Sequence, residues 1–165
     1  METQLYLDKF QEALHRLNQK PFTQNNLELK VGIWLNSVVL KIQKEAWHNP
    51  PTAAQPSPQS IFFSVWISDF GINESKLYYN IHALKLRELQ GYTIKSRDFA
   101  EAFRARFKPF EEDWPNVSVQ FGPLTLMEGW VKIDINTFED DIATLANKFL
   151  AIKFIIDDLL QERKK

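Results

Sequence analysis

Six short segments of the chain alternate between two kinds of side chain at every second residue, as β-strands with one buried face do. In the clearest segment, SIFFSVWIS at 60–68, every second residue is apolar, and serines together with Phe62 and Trp66 lie between them. Polar or glycine-containing stretches join the segments in pairs, so the sequence predicts hairpins. The three expected hairpins join 27–34 to 38–43, 60–68 to 76–87, and 117–121 to 131–135.

Three other segments have the spacing of amphipathic helices. Apolar residues recur every three or four positions in 6–17 and in 138–160, and three phenylalanines lie four residues apart within 96–108. The expected fold is therefore α+β, with a single, mainly antiparallel sheet of about six strands in three hairpins. We expect the N- and C-terminal helices to cover one face of this sheet, with a third helix inserted near 96–108.

The cysteine and aromatic contents limit the kinds of site and of core that this chain can form. The chain has 165 residues and no cysteine, which excludes thiolate nucleophiles, zinc–thiolate sites and disulfides. A chain of this length buries roughly 70% of its unfolded surface, and aromatic residues make up 13% of the sequence. We therefore expect residues 1–165 to form a single domain stabilised by a core rich in large rings.

The sequence predicts neither secretion nor membrane insertion. The N-terminal segment lacks a basic start and a continuous apolar run, and the apolar stretch 149–160 contains Lys153 and two aspartates. Such a stretch is too short and too charged to span a bilayer. We expect a soluble cytoplasmic protein without membrane contact.

A proline-rich segment interrupts the strands. Residues 46–59, AWHNPPTAAQPSPQ, hold four of the eight prolines. Proline cannot donate a hydrogen bond to a sheet and favours extended conformations. We interpret 46–59 as a mobile surface loop, with a docking segment for a partner as the alternative.

An aromatic surface is predicted on the second face of the central hairpin. Phe62 and Trp66 share that face with serines, which makes it too aromatic for an ordinary solvated surface. On the pairing strand, Tyr78 and His82 occupy the equivalent positions. These four residues are the candidate binding surface.

The segment KLYYNIHALKLRELQGY at 76–92 fits a strand better than a helix. As a helix it would scatter its apolar residues around the whole circumference, whereas as a strand it alternates up to Ala83. After Ala83 the phase changes, which indicates a bulge, or a helical turn that ends at Gly91. We favour a strand to about residue 87.

A basic segment at 85–108 offers an alternative function. It contains seven cations and three anions, whereas 111–160 contains ten carboxylates and three lysines. The basic segment could bind a nucleic-acid backbone beside Tyr78 and His82, or the acidic region could neutralise it. The candidate nucleic-acid contacts are Lys85, Arg87, Lys95, Arg97, Arg104 and Arg106.

The last predicted helix has more apolar surface than one partner would cover. Leu150 and Phe154 lie more than a quarter turn away from its main apolar stripe. Either a wide groove in the same chain or a subunit interface could bury them. These two residues are the candidate interface of a homodimer.

No recognised catalytic or phosphate-binding motif occurs in the sequence. Its five glycines are scattered, and the three histidines, His15, His48 and His82, are far apart along the chain. We expect no cofactor, no metal and no catalytic residue. The function predicted first is a non-enzymatic binding or assembly protein, followed by nucleic-acid association and by a small enzyme with a pocket near His82.

Overall fold

Residues 1–165 are described by a computed structural model, in which five antiparallel strands form one sheet in chain order. The strands are β1 (Glu28–Trp34), β2 (Ser37–Gln43), β3 (Ile61–Ile67), β4 (Lys76–Ala83) and β5 (Thr125–Lys132). The helices are α1 (Thr3–Arg16), α2 (Lys20–Gln24), α3 (Asp69–Glu74), α4 (Ser96–Phe107) and α5 (Phe138–Glu162). Short 3-10 turns occupy Glu45–Trp47, Leu86–Glu88 and Lys108–Asp113.

The helices pack on one face of the sheet, which confirms the α+β class predicted from the sequence. Phe63 of β3 stacks on Phe149 of α5 with ring centroids 4.7 Å apart, and Phe10 of α1 contacts Phe138 of α5 at 5.9 Å. The core-facing residues of the strands and helices join one cluster of 37 buried residues. Burial of this aromatic layer drives the packing of helices against the sheet.

The sheet has five strands instead of the expected six or so. Segment 117–121 forms only an isolated bridge, in which Ser118 and Glu128 exchange two backbone hydrogen bonds of 2.7 and 3.0 Å. Asn116 has a φ of +52° just before the segment, and Gly122 and Pro123 follow it. These residues turn the backbone away from an extended path, so that a longer ladder does not form.

The central hairpin forms as predicted, with a short helix in its connection. Ser68 accepts a 3.1 Å hydrogen bond from the Gly71 N–H and thereby caps α3. Strand β4 ends at Ala83, four residues earlier than expected, because Lys85 turns the chain with a φ of +52°. The change of phase in this segment coincides with an irregularity in the β4–β5 ladder at Ile81 and His82.

The first hairpin has a two-residue turn. Leu35 and Asn36 have φ angles of +49° and +63°, as a type I′ turn requires, and the turn fixes Trp34 opposite Ser37. Leu35 is 98% exposed. The register set by this turn places the side chain of Trp34 on the sheet face opposite the helices.

The proline-rich segment is anchored at its start. Trp47 is fully buried and donates a 2.9 Å hydrogen bond from Nε1 to Asp157 of α5. Asn49 donates to the Glu88 carbonyl at 2.9 Å and accepts from the Gln90 N–H at 2.8 Å. Residues 50–57 are exposed, and their mobility stays a prediction.

Candidate binding site on the open face of the sheet

The sheet face opposite the helices, called here the open face, is lined by side chains of its own strands. The cross-strand register aligns Val39, Trp66, Tyr78 and Trp130 in one row across β2 to β5. A parallel row consists of Lys41, Ser64, Asn80 and Glu128. The first row is mainly aromatic and the second is polar, so that the open face differs chemically from the core.

The four residues of the predicted aromatic surface lie together on the open face. Phe62 pairs with His82 at a ring separation of 5.0 Å, and Trp66 stacks on Tyr78 at 5.4 Å. Phe70 of α3 stacks on Tyr78 at 6.3 Å, on the far side from the pocket described below. The structure therefore brings these side chains together, while their role in binding stays a prediction.

A pocket of about 290 Å³ opens on this face between two tryptophans. Trp34 of β1 and Trp66 of β3 line it from the two sides of Val39, which belongs to β2 and is 6% exposed. The Trp34 ring folds over Gly32, where an added Cβ would lie 2.9 Å from Cη2 of the indole. We call the space between these two indoles, above Val39, the indole slot.

A network of polar side chains lies at the other end of the pocket. Ser64 Oγ donates to Asn80 Oδ1 at 2.6 Å, and Asn80 Nδ2 lies 3.2 Å from Glu128 Oε1 and 3.0 Å from His82 Nε2. Because a carboxylate accepts only, the nitrogen of Asn80 must face Glu128, and it also donates to His82. Consequently Nε2 of His82 carries no proton and Nδ1 carries it.

The environment shifts the pKa values of the ionisable groups in this network. Burial lowers the pKa of His82, which the positive charge of Lys41 lowers further, while the Leu124 carbonyl acts in the opposite direction. Burial raises the pKa of Glu128, although the hydrogen bond from Asn80 partly offsets this effect. The His82 Nδ1 atom is buried and makes no hydrogen bond of good geometry. Burial therefore favours the neutral imidazole, whose Nδ1 is buried and whose Nε2 is bonded to Asn80.

Lys41 lies at the edge of the indole slot. Its Nζ is 4.2 Å from the ring centroid of Trp34 and 4.8 Å from that of Phe62, and it donates to Gln59 at 2.8 Å. Burial lowers the pKa of the ammonium group, with a smaller contribution from the nearby Lys30. Two aromatic rings and one amide oxygen therefore stabilise a cation that is 7% exposed.

The six cations proposed for nucleic-acid contact fall into two groups. Arg104 donates to four backbone carbonyls in the segment 121–126 at 2.9 to 3.1 Å, and Arg106 forms a bidentate pair with Glu162 at 2.6 and 2.7 Å. The other four, Lys85, Arg87, Lys95 and Arg97, are exposed. Two of the six thus have structural partners, and nucleic-acid binding by the rest stays a prediction.

The two residues of the predicted interface differ in environment. Leu150 is half-buried against the core, whereas Phe154 is 43% exposed and contacts the Phe110 ring at 5.9 Å. A homodimer through this helix face stays a prediction.

The sequence identified Phe62, Trp66 and His82 of the pocket, but it did not identify the other lining residues, among them Trp34, Lys41, Asn80 and Glu128. Strand alternation does place Trp34 on the face of Lys30 and Gly32, and Asn80 on the face of His82. What alternation does not provide is the pairing across strands, which brings Asn80 to Glu128 and places Trp34 and Trp66 on either side of Val39.

No family model matches this chain, and no match was found among curated proteins or solved structures. None of the helices has both the length and the apolar character required to cross a membrane. No three histidine, aspartate or glutamate side chains are grouped so that they could hold a metal ion.

Proposed function

We propose that this chain is a non-enzymatic binding protein that takes a small ligand into the pocket between Trp34 and Trp66. The observation that carries the proposal is the combination of aromatic walls with a buried polar network in one concave site of about 290 Å³. Pockets that bind small molecules are typically lined by apolar and aromatic side chains with a few fixed polar groups.

The polar network itself supports binding more than catalysis. Ser64 donates its proton to Asn80, and the Nε2 lone pair of His82 accepts from Asn80. A general base needs a free lone pair within reach of its substrate, and a serine nucleophile needs an adjacent base. Because both side chains are committed to Asn80, they orient the network and leave Glu128 Oε2 as its free acceptor.

The five tryptophans allow a direct test by nuclear magnetic resonance. Each contributes one indole N–H signal, and the signals can be assigned with single Trp→Phe variants. We expect aromatic and heterocyclic fragments at millimolar concentration to shift the signals of Trp34 and Trp66.

The other three tryptophans serve as internal controls. Trp47 and Trp114 are buried in the core, and Trp130 lies on the open face outside the pocket. Binding in the pocket would be refuted if the fragments shifted only the signals of these three residues. It would also be refuted if no fragment shifted any indole signal.

A further inference from the structure

On the basis of the binding function proposed above, we infer that the ligand is an oxopurine-type ring. Such a ring is planar and uncharged and carries a carbonyl acceptor and ring N–H donors, as guanine does. Its flat faces would lie in the indole slot, with Glu128 as the acceptor for its N–H groups and Lys41 as a donor to its carbonyl. Shape, polarity and charge of the pocket each support this class of ligand.

The shape of the slot favours a flat ring. Trp34 and Trp66 stand on strands separated by β2, and neighbouring strands lie about 4.7–4.9 Å apart, so their backbones are about 10 Å apart. The only side chain between them at this level is Val39, because Gly32 has none. A planar ring can stack on an indole within such a width, where it gains the face-to-face contact that a saturated group does not make.

The face of the Trp66 indole that is turned toward Val39 is available for a ligand to stack on. Tyr78 covers its opposite face at 5.4 Å with an interplanar angle of 18°, and Phe70 continues this stack beyond Tyr78. The three rings hold the Trp66 indole in a fixed orientation toward Val39. A preorganised ring of this kind loses little conformational entropy when a ligand stacks on it.

The polar groups favour a ring with both acceptors and donors. Glu128 uses one carboxylate oxygen for Asn80 and keeps the other free to accept. The Lys41 ammonium has three N–H donors and uses one of them for Gln59. A ligand without N–H donors would cover the second oxygen of the half-buried Glu128 carboxylate without giving it a hydrogen bond, which is costly.

The charge of the pocket favours a neutral ring. Its lining contains one cationic side chain, Lys41, and one carboxylate, Glu128, and the neutral His82. These charges balance, so a charged ring would bring a net charge into a partly dehydrated site. At about 290 Å³ the pocket also lies at the lower end of the range of about 300–1,000 Å³ for small-molecule sites, which suits a base better than a whole dinucleotide.

The test compares four purine ligands, three nucleosides and one free base, by calorimetry and indole resonance shifts. Guanosine and inosine carry the carbonyl and the ring N–H, adenosine lacks both, and caffeine keeps carbonyls but has no N–H. We expect guanosine and inosine to bind at least about tenfold more tightly than adenosine and caffeine. Equal binding of all four, with shifts at Trp34 and Trp66, would overturn the oxopurine inference and leave the proposed binding function intact.

Single variants separate the contribution of stacking on Trp66 from that of hydrogen bonding to Glu128. Trp66→Leu is expected to weaken guanosine binding by about tenfold or more, as the loss of one base–aromatic stack does. Glu128→Gln is expected to remove the preference for guanosine over adenosine. Trp130→Leu, on the same face but outside the pocket, is the matched control and should leave both affinities unchanged.

A further variant, Gly32→Ala, leaves unchanged every side chain that would contact the ligand. Gly32→Ala places a methyl group 2.9 Å from the end of the Trp34 ring, which must then move. We expect weaker guanosine binding with an unchanged melting temperature, because a side chain rather than backbone gives way. Unchanged binding in both Gly32→Ala and Trp66→Leu would overturn the assignment of the slot.

A further binding measurement distinguishes a ring that belongs to a nucleic acid from one that belongs to a free nucleoside. A guanosine-containing tetranucleotide that binds more tightly than guanosine would assign the ring to a single-stranded nucleic acid. Equal or weaker binding would assign it to a free nucleoside.

Discussion

Gly129 of β5 makes room for Tyr79, the one tyrosine that is fully buried. Tyr79, on the neighbouring strand, passes directly over Gly129 and donates a 2.7 Å hydrogen bond to the Pro115 carbonyl. The ring is fully buried, and this burial raises its pKa. Glycine within a strand often marks a place where another group approaches the backbone closely, and at Gly129 that group is the phenol ring of Tyr79.

Gly129→Ala should therefore destabilise the protein. The added methyl group would overlap the Tyr79 hydroxyl and come within 2.9 Å of the Pro115 carbonyl, which is backbone and cannot rotate away. We expect a loss of about 1–3 kcal/mol in the free energy of unfolding, measured with urea. Gly122→Ala is the matched control, because nothing lies within 4 Å of a Cβ there and its φ is not positive. Equal stability of the two variants would contradict the packing argument.

Helix α4 is held to the segment before β5 by one arginine. Arg104 reaches from α4 and donates to the carbonyls of Phe121, Gly122, Thr125 and Leu126. The Phe121 and Gly122 carbonyls belong to the irregular segment before β5, and those of Thr125 and Leu126 belong to the first residues of β5, so the guanidinium fastens both to α4. The sequence pattern grouped Arg104 with Arg106 as surface cations, although the two side chains have different surroundings.

The two arginines should differ in their effect on stability. Arg104→Gln removes several charge-assisted hydrogen bonds and is expected to cost about 1.5–3 kcal/mol in the free energy of unfolding. Arg106→Gln breaks an exposed ion pair with Glu162 and should cost at most about 1 kcal/mol. Urea unfolding of both variants measures the difference, and a larger effect at Arg106 would contradict the structural role of Arg104.

Across the whole molecule, two ion pairs join α1 to α5. Lys9 contacts Glu139 at 3.2 Å, and Arg16 contacts Asp140 at 3.2 Å, at the N-terminal end of α5. Within the basic segment 85–108, the ion pair present is that of Arg106 with Glu162. The acidic start of α5 is thus neutralised by the first helix, which leaves most of the basic segment exposed.

The stability of the whole molecule should fall in mild acid because of His82. Its pKa is lowered in the folded state, so below about pH 6.5 the unfolded chain binds a proton that the folded chain does not. We expect the free energy of unfolding to decrease between pH 7.5 and 5.5. This decrease should be smaller in His82→Gln, which lacks the buried imidazole.

Glu128 changes the free energy of unfolding with pH in the direction opposite to His82. Its pKa is raised in the folded state, so as the pH falls through that value the folded chain binds a proton first and gains stability. Comparison of His82→Gln with the unaltered chain at each pH separates the two effects, since Glu128 is present in both. An equal pH dependence of the two proteins would show that His82 is not buried in its neutral form.

The sequence by itself determined the elements and their faces. Alternation predicted β1 to β4 and the two-sided character of β3, and helical spacing predicted α1, α4 and α5, because these periodicities follow from the local backbone geometry. The fifth strand was expected at 131–135, whereas β5 spans Thr125–Lys132 and overlaps that segment only at its end. The three phenylalanines of α4 are all fully buried, as their spacing predicts. Phe62, Trp66, Tyr78 and His82 were assigned to one face for the same reason.

Only the tertiary structure decided which residues face each other across the sheet. Alternation fixes the face of a side chain but not the register or the neighbour of its strand, which depend on turns and on core packing. Register places Gly32 and Trp66 on either side of Val39, with the Trp34 ring folded over Gly32, and it places Asn80 beside Glu128. It also leaves 117–121 without a ladder, because the backbone turns at Asn116 and at Gly122-Pro123 prevent further pairing.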